Sequence, residues 1–344
     1  MKTTLLEKQG DFLAGARIRL VLLASLMALL WYLGMPPLLG GDERALWEKV
    51  RSAQTSVFEI RGGEEYDADP QKTGFIGVEW SPLTTTLGPL EAKIISANPL
   101  WAVYALRQLR RLGIAAGDRV ALLSSSSFPG LVFSVLAAAE HRDAHILWIH
   151  SLGSSTWGAN DPAFSWPALA TALRQGGFLS KKADWYTLGG KAEMGLDLPE
   201  EGRKILIKAA ASEGTPLLEA PSLPGMIDLK WDMVARFAPR ILISVGGGAA
   251  AFAGNHADFL RGGFFQPSDP VPPGEGVLQK ALASDIPVLH FLDMKGMARR
   301  SGVPLSGSFS PRFVSFGGRA ASGAGLLLFF VFLLFFKRWD RWKE

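Results

Sequence analysis

Short apolar runs alternate with helical patterns along the middle of this 344-residue chain, and small residues follow most of the runs. Such an order predicts right-handed βαβ crossovers and a sheet that is covered on both faces. The fold class expected is therefore α/β: a doubly wound, mainly parallel sheet with helices on both faces. We expect one domain, because the chain shows neither an internal repeat nor an obvious linker.

The pattern assigns individual elements. Six runs are predicted strands: 75–79, 119–123, 145–149, 185–188, 240–245 and 287–291. Helices are predicted over 89–112, 129–140, 165–175, 199–211, 223–237 and 294–301, with another opening at 246–248. The Gly- and Pro-rich segment 261–276 is predicted to be a long surface loop.

Two uncharged segments, one near each end of the chain, have the composition of membrane spans. Residues 20–41 are 22 consecutive uncharged residues, and a helix of that length reaches ~33 Å, enough to cross a bilayer core. Residues 320–336 are 17 uncharged residues, and the last 11 are all Leu, Phe or Val. We predict a transmembrane signal anchor at 20–41 and a second transmembrane helix at 320–336. A cleaved signal peptide is the alternative for the first segment.

Charge is distributed so as to suggest a topology. The tails 1–19 and 337–344 together hold eight basic and four acidic residues, which accounts for the whole net charge of +4. By the positive-inside rule both tails are cytoplasmic, and residues 42–319 form an extracytoplasmic domain of a two-pass plasma-membrane protein. A cytoplasmic loop is the alternative. A neutral middle argues against nucleic acid as a partner, and the absence of cysteine excludes disulfides, thiolate metal sites and a cysteine nucleophile.

Three loops with small or hydroxyl residues are predicted at the carboxyl ends of strands: 81–86, 124–127 and 246–248. Ligands of open parallel sheets gather there, and free N–H groups at helix starts favour an anion. Capping hydroxyls and tightly packed glycines are the alternative explanation. The candidate ligand-binding residues are Thr84, Thr85, Thr86, Glu91, Lys93, Ser124, Ser125, Gly246, Gly247 and Gly248.

The residue types of a serine hydrolase are also present. Such an enzyme needs a hydroxyl, a base that polarises it and an acid that orients the base. The candidates are Ser126 or Ser127 as nucleophile, His256 or His290 as base, and Asp258 or Asp293 as orienting acid. No G-x-S-x-G elbow surrounds the serines.

No cofactor or metal site is predicted. The segment Gly246-x-Gly248-x-x-Ala251 matches a relaxed dinucleotide fingerprint but lacks the following strand with its ribose-binding acid. No lysine follows a glycine-rich loop as P-loop chemistry requires. His141 and His145 flank a turn and are more typical of solvated residues than of a metal pair.

One stretch resembles a known family. Residues 77–93, GVEWSPLTTTLGPLEAK, are similar to the poly-γ-glutamate system protein family, and the threonine-rich part is the most specific. Further similar pieces are 125–129, 151–162, 244–250 and 287–302. The resemblance spans about 76–304, most of the central domain.

This resemblance implies a membrane-anchored accessory of the machinery that makes or exports poly-γ-glutamate, a capsule-type anionic polymer. The implied partners are the polymer itself or its membrane synthase and export proteins. No catalytic residue is carried over, so whether the chain is an enzyme stays open. The alternatives are a serine-dependent hydrolase or transferase acting on the γ-glutamyl polymer, and a purely structural partner of neighbouring membrane proteins.

Overall fold

The computed structural model describes residues 21–32, 39–63, 67–253, 261–270, 274–314, 321 and 323–332. The chain divides into two compact units. One is the central unit, Leu39–Pro311, and the other combines the two chain ends, 1–38 and 312–344. Every strand named below belongs to the central unit.

A six-stranded sheet forms the middle of the central unit, with the strand order β5-β3-β2-β6-β8-β7. Its first five strands are parallel, and β7 pairs antiparallel with β8 at one edge. A separate two-stranded parallel ladder joins β1 and β4. The strands are β1 Thr84–Thr86, β2 Arg119–Ser125, β3 His145–Ser151, β4 Ser154–Ser155, β5 Trp185–Thr187, β6 Ile241–Val245, β7 Gly263–Phe265 and β8 Val288–Phe291.

Helices connect most of the parallel strands, and a 3-10 turn, Lys191–Glu193, follows β5. The helices of the central unit are α1 Gly41–Ile60, α2 Leu90–Ser96, α3 Leu100–Arg111, α4 Pro129–His141, α5 Trp166–Gln175, α6 Glu200–Glu213, α7 Leu223–Phe237, α8 Ala249–Phe252, α9 Val277–Ala283 and α10 Met294–Ser301.

Helices cover both faces of the sheet. Residues an odd number of positions apart in a strand point to opposite faces. Val288 of β8 belongs to one buried cluster with Met226 of α7 and Val277 of α9. Phe291 of the same strand packs edge to face on Trp101 of α3, at 5.9 Å between ring centroids. The predicted doubly wound, mainly parallel α/β fold is confirmed.

The strand order reverses direction between β2 and β6. From β2 the chain proceeds through β3 to β5 on one side, and β6 and β8 lie on the other. Crevices at such a reversal, outside the carboxyl ends of the strands, are the usual ligand sites of open α/β sheets. Ser125 ends β2 and Gly246 follows β6, so two of the predicted loops lie at this point.

The predicted strand over 75–79 is wrong. The segment joins neither sheet, and its backbone is hydrogen-bonded to Trp157 and Asn160 instead. Asn160 accepts a hydrogen bond from the Val78 N–H through Oδ1 (3.0 Å) and donates to the Val78 carbonyl through Nδ2 (2.8 Å). The loop 81–86 therefore does not follow a strand of the main sheet.

The single helix predicted over 89–112 is two helices, α2 and α3. Pro99 has no N–H and disfavours helical backbone at Asn98, so the helix ends and restarts there. Trp101 Nε1 donates to the Ile95 carbonyl at 2.8 Å and thereby satisfies a carbonyl at the end of α2. Ten other predicted elements agree with the structure within two residues at each end. They are the helices over 129–140, 165–175, 199–211, 223–237 and 294–301 and the strands over 119–123, 145–149, 185–188, 240–245 and 287–291.

The segment 261–276 is not wholly a loop, because β7 lies within it. Residues 271–273 of that segment are outside the described residues. Two further helices, α1 and α9, were not predicted.

The unit formed by the chain ends contains helical residues at 21–32 and 323–332. These stretches approach each other, since a Cβ added to Gly325 would lie 3.0 Å from Trp31 Nε1. None of the helices in the described part of the chain is both long enough and apolar enough to cross a membrane. Both predicted spans, 20–41 and 320–336, include residues outside the described ranges, so the flanking transmembrane helices stay a prediction from sequence.

Candidate functional site

A cavity of about 700 Å³ lies at the point where the strand order reverses. Residues from all three predicted loops contribute to its wall, together with residues of the 3-10 turn and of α10. The predicted ligand-binding or catalytic residues that line it are Thr85, Thr86, Glu91, Lys93, Ser125, Ser127, Gly247, Gly248 and Asp293.

The other predicted site residues do not line this cavity. His256 lies outside the described residues, as does Asp258. Thr84 is buried and hydrogen-bonded to Asn160 Nδ2 at 2.9 Å. The remaining members, considered next, are Ser124, Ser126, Gly246 and His290.

Ser124 and Ser126 belong to a buried hydrogen-bonded chain around His150. Ser124 Oγ lies 2.8 Å from His150 Nδ1, and Ser126 Oγ lies 3.0 Å from Nε2. Ser126 Oγ also lies 3.2 Å from the Ser151 carbonyl oxygen, so the hydroxyl has two neighbouring polar groups, His150 Nε2 and this carbonyl. Burial, with the charge of Lys230 adding to it, holds the pKa of His150 well below its ordinary value. Ser126 itself is fully buried and does not line the cavity, so this chain of hydrogen bonds lies beneath the site.

His290 lies inside β8 and is fully buried. Burial lowers its pKa to about 4. Its ring contacts that of Phe252 edge to face, at 5.9 Å between centroids. Because it does not line the cavity, the structure does not bring it together with Ser127.

The small β1–β4 ladder builds one wall of the cavity. Thr84 pairs with Ser154 and Thr86 with Ser155, with an irregular register between the two pairs. This ladder joins the threonine-rich segment to the segment 151–162, although about 70 residues separate them along the chain. Thr85 and Ser155 thereby become part of the cavity wall.

Two glycines allow the segments to approach each other. A Cβ on Gly77 would lie 1.8 Å from the Gly158 carbonyl oxygen. A Cβ on Gly158 would lie 2.1 Å from Ser154 Oγ and 2.6 Å from the Ser126 carbonyl oxygen. No side chain fits at either position, so the two glycines fix the placement of Ser154 and Ser155.

Lys93 of α2 points into the same wall and is only 2% exposed. Its Nζ lies 2.5 Å from Ser155 Oγ and also donates to the Ser127 carbonyl oxygen. The Phe128 ring centroid is 4.1 Å from Nζ. Among the described residues no carboxylate lies within ion-pair distance of Lys93, and burial lowers its pKa to about 7. Close to neutral pH, this amine is partly uncharged.

Ser125 ends β2 and carries a buried hydroxyl. Its Oγ is buried and makes no hydrogen bond to any residue that the structure describes. Gly246, with φ +92°, passes so close that an added Cβ would lie 2.4 Å from this oxygen. Ser125 therefore contributes to the cavity wall while its Oγ lies beneath the surface of that wall.

Glu193, which was not predicted, forms a buried ion pair with Lys230 at the cavity wall. The carboxylate also accepts hydrogen bonds from Ser151 Oγ (2.7 Å), Thr187 Oγ1 (2.9 Å) and the Ala250 N–H (3.2 Å). Burial would raise the pKa of Glu193, but Lys230 and the hydroxyl donors hold it below its ordinary value. One side chain thus ties together β3, β5, α7 and α8.

The outer part of the cavity carries charges of both signs. Lys295 of α10 pairs with Glu91 at 3.0 Å. Lys191 and Asp197 come from the segment after β5, and Asp293 caps α10 through the Gly296 N–H (3.0 Å). Within the described ranges no group of three or more His, Cys, Asp or Glu could hold a metal ion.

Sequence reasoning missed Ser155 and Glu193 as site residues. Ser155 lies in the segment 151–162, which carried part of the family resemblance, and that position was the signal that could have found it. Glu193 has no such signal, because its partners come from four separate elements.

Comparison with protein-family models, with curated proteins and with solved structures gives no match to this chain. The geometry of the cavity and the resemblance of 77–93 are therefore the guides to what this chain does.

Proposed function

We propose that this chain is a membrane-anchored component of a poly-γ-glutamate system, and that its central domain binds the γ-glutamyl polymer in the cavity beside the β1–β4 ladder. In this proposal the basic tails are cytoplasmic and the central domain is extracytoplasmic. The bound polymer is either nascent or in the course of export.

One observation carries the proposal. The two segments 77–93 and 151–162, which resemble the poly-γ-glutamate system proteins, pair with each other through β1 and β4. Together they supply one wall of the cavity at the sheet reversal, including Thr85, Lys93 and Ser155. The most specific part of the resemblance and the expected ligand position of an open α/β sheet therefore coincide.

The lining also suits the chemistry of the polymer. Each γ-linked residue presents one free carboxylate, one amide N–H and one amide carbonyl. Lys191 and Lys295 can pair with carboxylates, and Asp197 can accept a hydrogen bond from an amide N–H. Because the domain has no net charge, recognition must come from this local arrangement and not from bulk attraction.

Calorimetric titration of the full chain, purified in detergent, tests the proposal. The γ-linked polymer is compared with α-linked polyglutamate of the same length, which has the same charge but a different spacing, at low and at high salt. We expect saturable binding of the γ-linked polymer, weaker binding of the α-linked one, and retention of the difference at high salt.

Rim lysines provide the variants. Lys191→Gln and Lys295→Gln should each weaken binding about two- to five-fold, since an exposed ion pair contributes roughly 0.2–1 kcal/mol. Lys208→Gln, on the exposed face of α6 and away from the cavity, is the matched control and should bind normally. Absence of binding at both salt concentrations, or equal affinity for the two linkages, would refute the proposal.

A serine-dependent reaction on the same polymer is the second candidate function. The contact between Lys93 Nζ and Ser155 Oγ favours it, and its consequences are developed below.

A further inference from the structure

We infer that Ser155 and Lys93 form a nucleophile–base pair that transfers an acyl group from an amide or ester substrate held in the cavity. This goes beyond polymer binding and moves the reactive serine away from Ser126 and Ser127. If the proposed function holds, the acyl donor is the γ-amide bond of the polymer.

The geometry meets the first requirement of a serine nucleophile, a base within hydrogen-bond reach. Lys93 Nζ lies 2.5 Å from Ser155 Oγ. The Ser127 carbonyl oxygen holds the amine from a second direction, and the Phe128 ring lies beside it. Lys93 projects from α2 and Ser155 ends β4, so both groups are carried on packed elements with little freedom to separate.

The surroundings favour the uncharged amine. Lys93 is almost fully buried, and within the described residues it has no carboxylate partner that would stabilise the ammonium form. A neutral amine can donate one N–H to the Ser127 carbonyl while its lone pair accepts the Ser155 proton. The lowered pKa of Lys93, about 7, agrees with this arrangement.

A substrate can reach the hydroxyl. Ser155 is 6% exposed, and the surface it does expose lines the cavity. Gly88 faces it from the loop before α2, and a Cβ there would lie 3.2 Å from Ser155 Oγ. Lack of a side chain at Gly88 leaves room for a carbonyl group to approach.

The other serines near the site are less suited. Ser126 is fully buried, does not line the cavity, and has its Oγ between His150 Nε2 and the Ser151 carbonyl oxygen. Ser127 lines the cavity, but its Oγ accepts the Ser155 N–H at 3.0 Å, and no base among the described residues is hydrogen-bonded to it. Ser155 alone among these three has an amine within reach.

The reaction balances with water or an amine as the only co-reactant. Ser155 Oγ attacks the substrate carbonyl carbon and its proton passes to Lys93 Nζ. The C–N or C–O bond then breaks, and Lys93 returns the proton to the leaving amine or alkoxide, which leaves an acyl ester on Ser155. Water or a second amine, deprotonated by Lys93, attacks this ester, releases an acid or a new amide, and restores both side chains.

Covalent labelling of the full chain with a fluorophosphonate probe tests the inference, since the probe phosphonylates only activated serines and needs no polymer. We expect one adduct per chain, located on Ser155 by peptide mass spectrometry. Its rate should rise with pH through about 7, because Lys93 becomes the free amine above that value. Lys93→Met should slow labelling at least 10²-fold, as expected when a general base is removed.

Matched controls are available for both residues. Ser155→Ala should abolish the adduct, whereas Ser134→Ala should leave it unchanged, because the Ser134 hydroxyl is buried in α4 without a partner among the described residues. Lys208→Met is the control for Lys93→Met. If Lys93→Met does not fold by circular dichroism, the pH profile of the wild-type chain decides. No adduct, an adduct on another residue, or a rate that does not change near pH 7 would overturn the inference. Binding of polymer without labelling would leave the chain a binding accessory, and labelling without polymer binding would point to another acyl donor.

Discussion

Two buried lysines show how surroundings decide what a side chain can do. Lys230 is paired with Glu193, so its charge is neutralised where it lies. Lys93 is equally buried but has only a carbonyl, a hydroxyl and an aromatic ring around it. The first arrangement stabilises an ion pair that links elements, and the second favours a neutral amine capable of accepting a proton.

The Glu193–Lys230 pair is expected to be essential for stability. Glu193→Gln leaves a buried ammonium without its counter-charge, and we expect a loss of about 3–5 kcal/mol in the free energy of unfolding. Adding Lys230→Met to that variant should cost less than the sum of the two single changes, since it removes the stranded charge. Urea denaturation monitored by tryptophan fluorescence measures all three variants.

Glu193 should make the stability of the folded chain depend on pH. Because the pKa of Glu193 is lowered in the folded state, its contribution is present above the ordinary value of 4.5 and is lost as the pH falls through the folded-state pKa. The wild-type chain should therefore lose stability below about pH 4.5 more steeply than Glu193→Gln. A Glu193→Gln variant within about 0.5 kcal/mol of wild type at neutral pH would contradict this assignment.

Among the elements of the fold, the β1–β4 ladder is the one that brings the two segments of the cavity wall together. It has only two paired positions, so close backbone packing, and not the ladder itself, must hold it in place. Gly77 and Gly158 provide that packing, and Asn160 adds hydrogen bonds to Val78 and Thr84.

Gly77→Ala tests whether this close packing holds the ladder in place. The new methyl group would lie 1.8 Å from the Gly158 carbonyl oxygen, so the two segments must separate. We expect a loss of about 1–3 kcal/mol, the usual range for overpacking, and a marked fall in Ser155 labelling. Gly41→Ala is the control, because nothing lies within 4 Å of its added Cβ. Thermal unfolding and the labelling assay are measured on both variants. If Gly77→Ala behaves like the control in both, close packing at Gly77 does not hold the ladder in place.

The sequence was sufficient for the parallel strands and most helices, because their apolar runs and caps are local signals. It failed where distant groups decide the outcome. Residues 75–79 have the composition of a strand, yet their backbone is hydrogen-bonded to Trp157 and Asn160, some 80 positions later, and not to a strand. The three-residue β7 is too short to show a period. By contrast, α1 has buried positions Leu46, Val50, Ala53 and Val57, at helical spacing that was open to detection.

The site follows the same division. Loops at the carboxyl ends of strands could be located from the order of elements, and residues of all three line one cavity. The pairing of Lys93 with Ser155 could not be predicted from the sequence, because it depends on the ladder between segments that are far apart along the chain.

At the scale of the whole molecule, the distribution of charge and apolar residues predicts the topology. The natural chain has no cysteine, so a single introduced thiol reports its own location without background. Lys208→Cys, exposed on α6, should react with a membrane-impermeant maleimide in intact cells if the central domain is extracytoplasmic.

Lys2→Cys, in the tail predicted to be cytoplasmic, should react only after the cells are permeabilised. Reaction of Lys208→Cys only after permeabilisation would reverse the topology and favour the cytoplasmic-loop alternative. Recovery of Lys208→Cys in the soluble fraction after alkaline extraction would refute the anchors themselves.

The central claim is that the cavity beside the β1–β4 ladder is where the γ-glutamyl chain binds. An experimental structure of the full-length Ser155→Ala variant, in complex with a short γ-linked glutamate oligomer, tests it most directly. We expect oligomer density in that cavity, with a carboxylate near Lys191 or Lys295 and an amide carbonyl facing residue 155. An empty cavity at saturating oligomer, or an oligomer bound elsewhere on the domain, would contradict it.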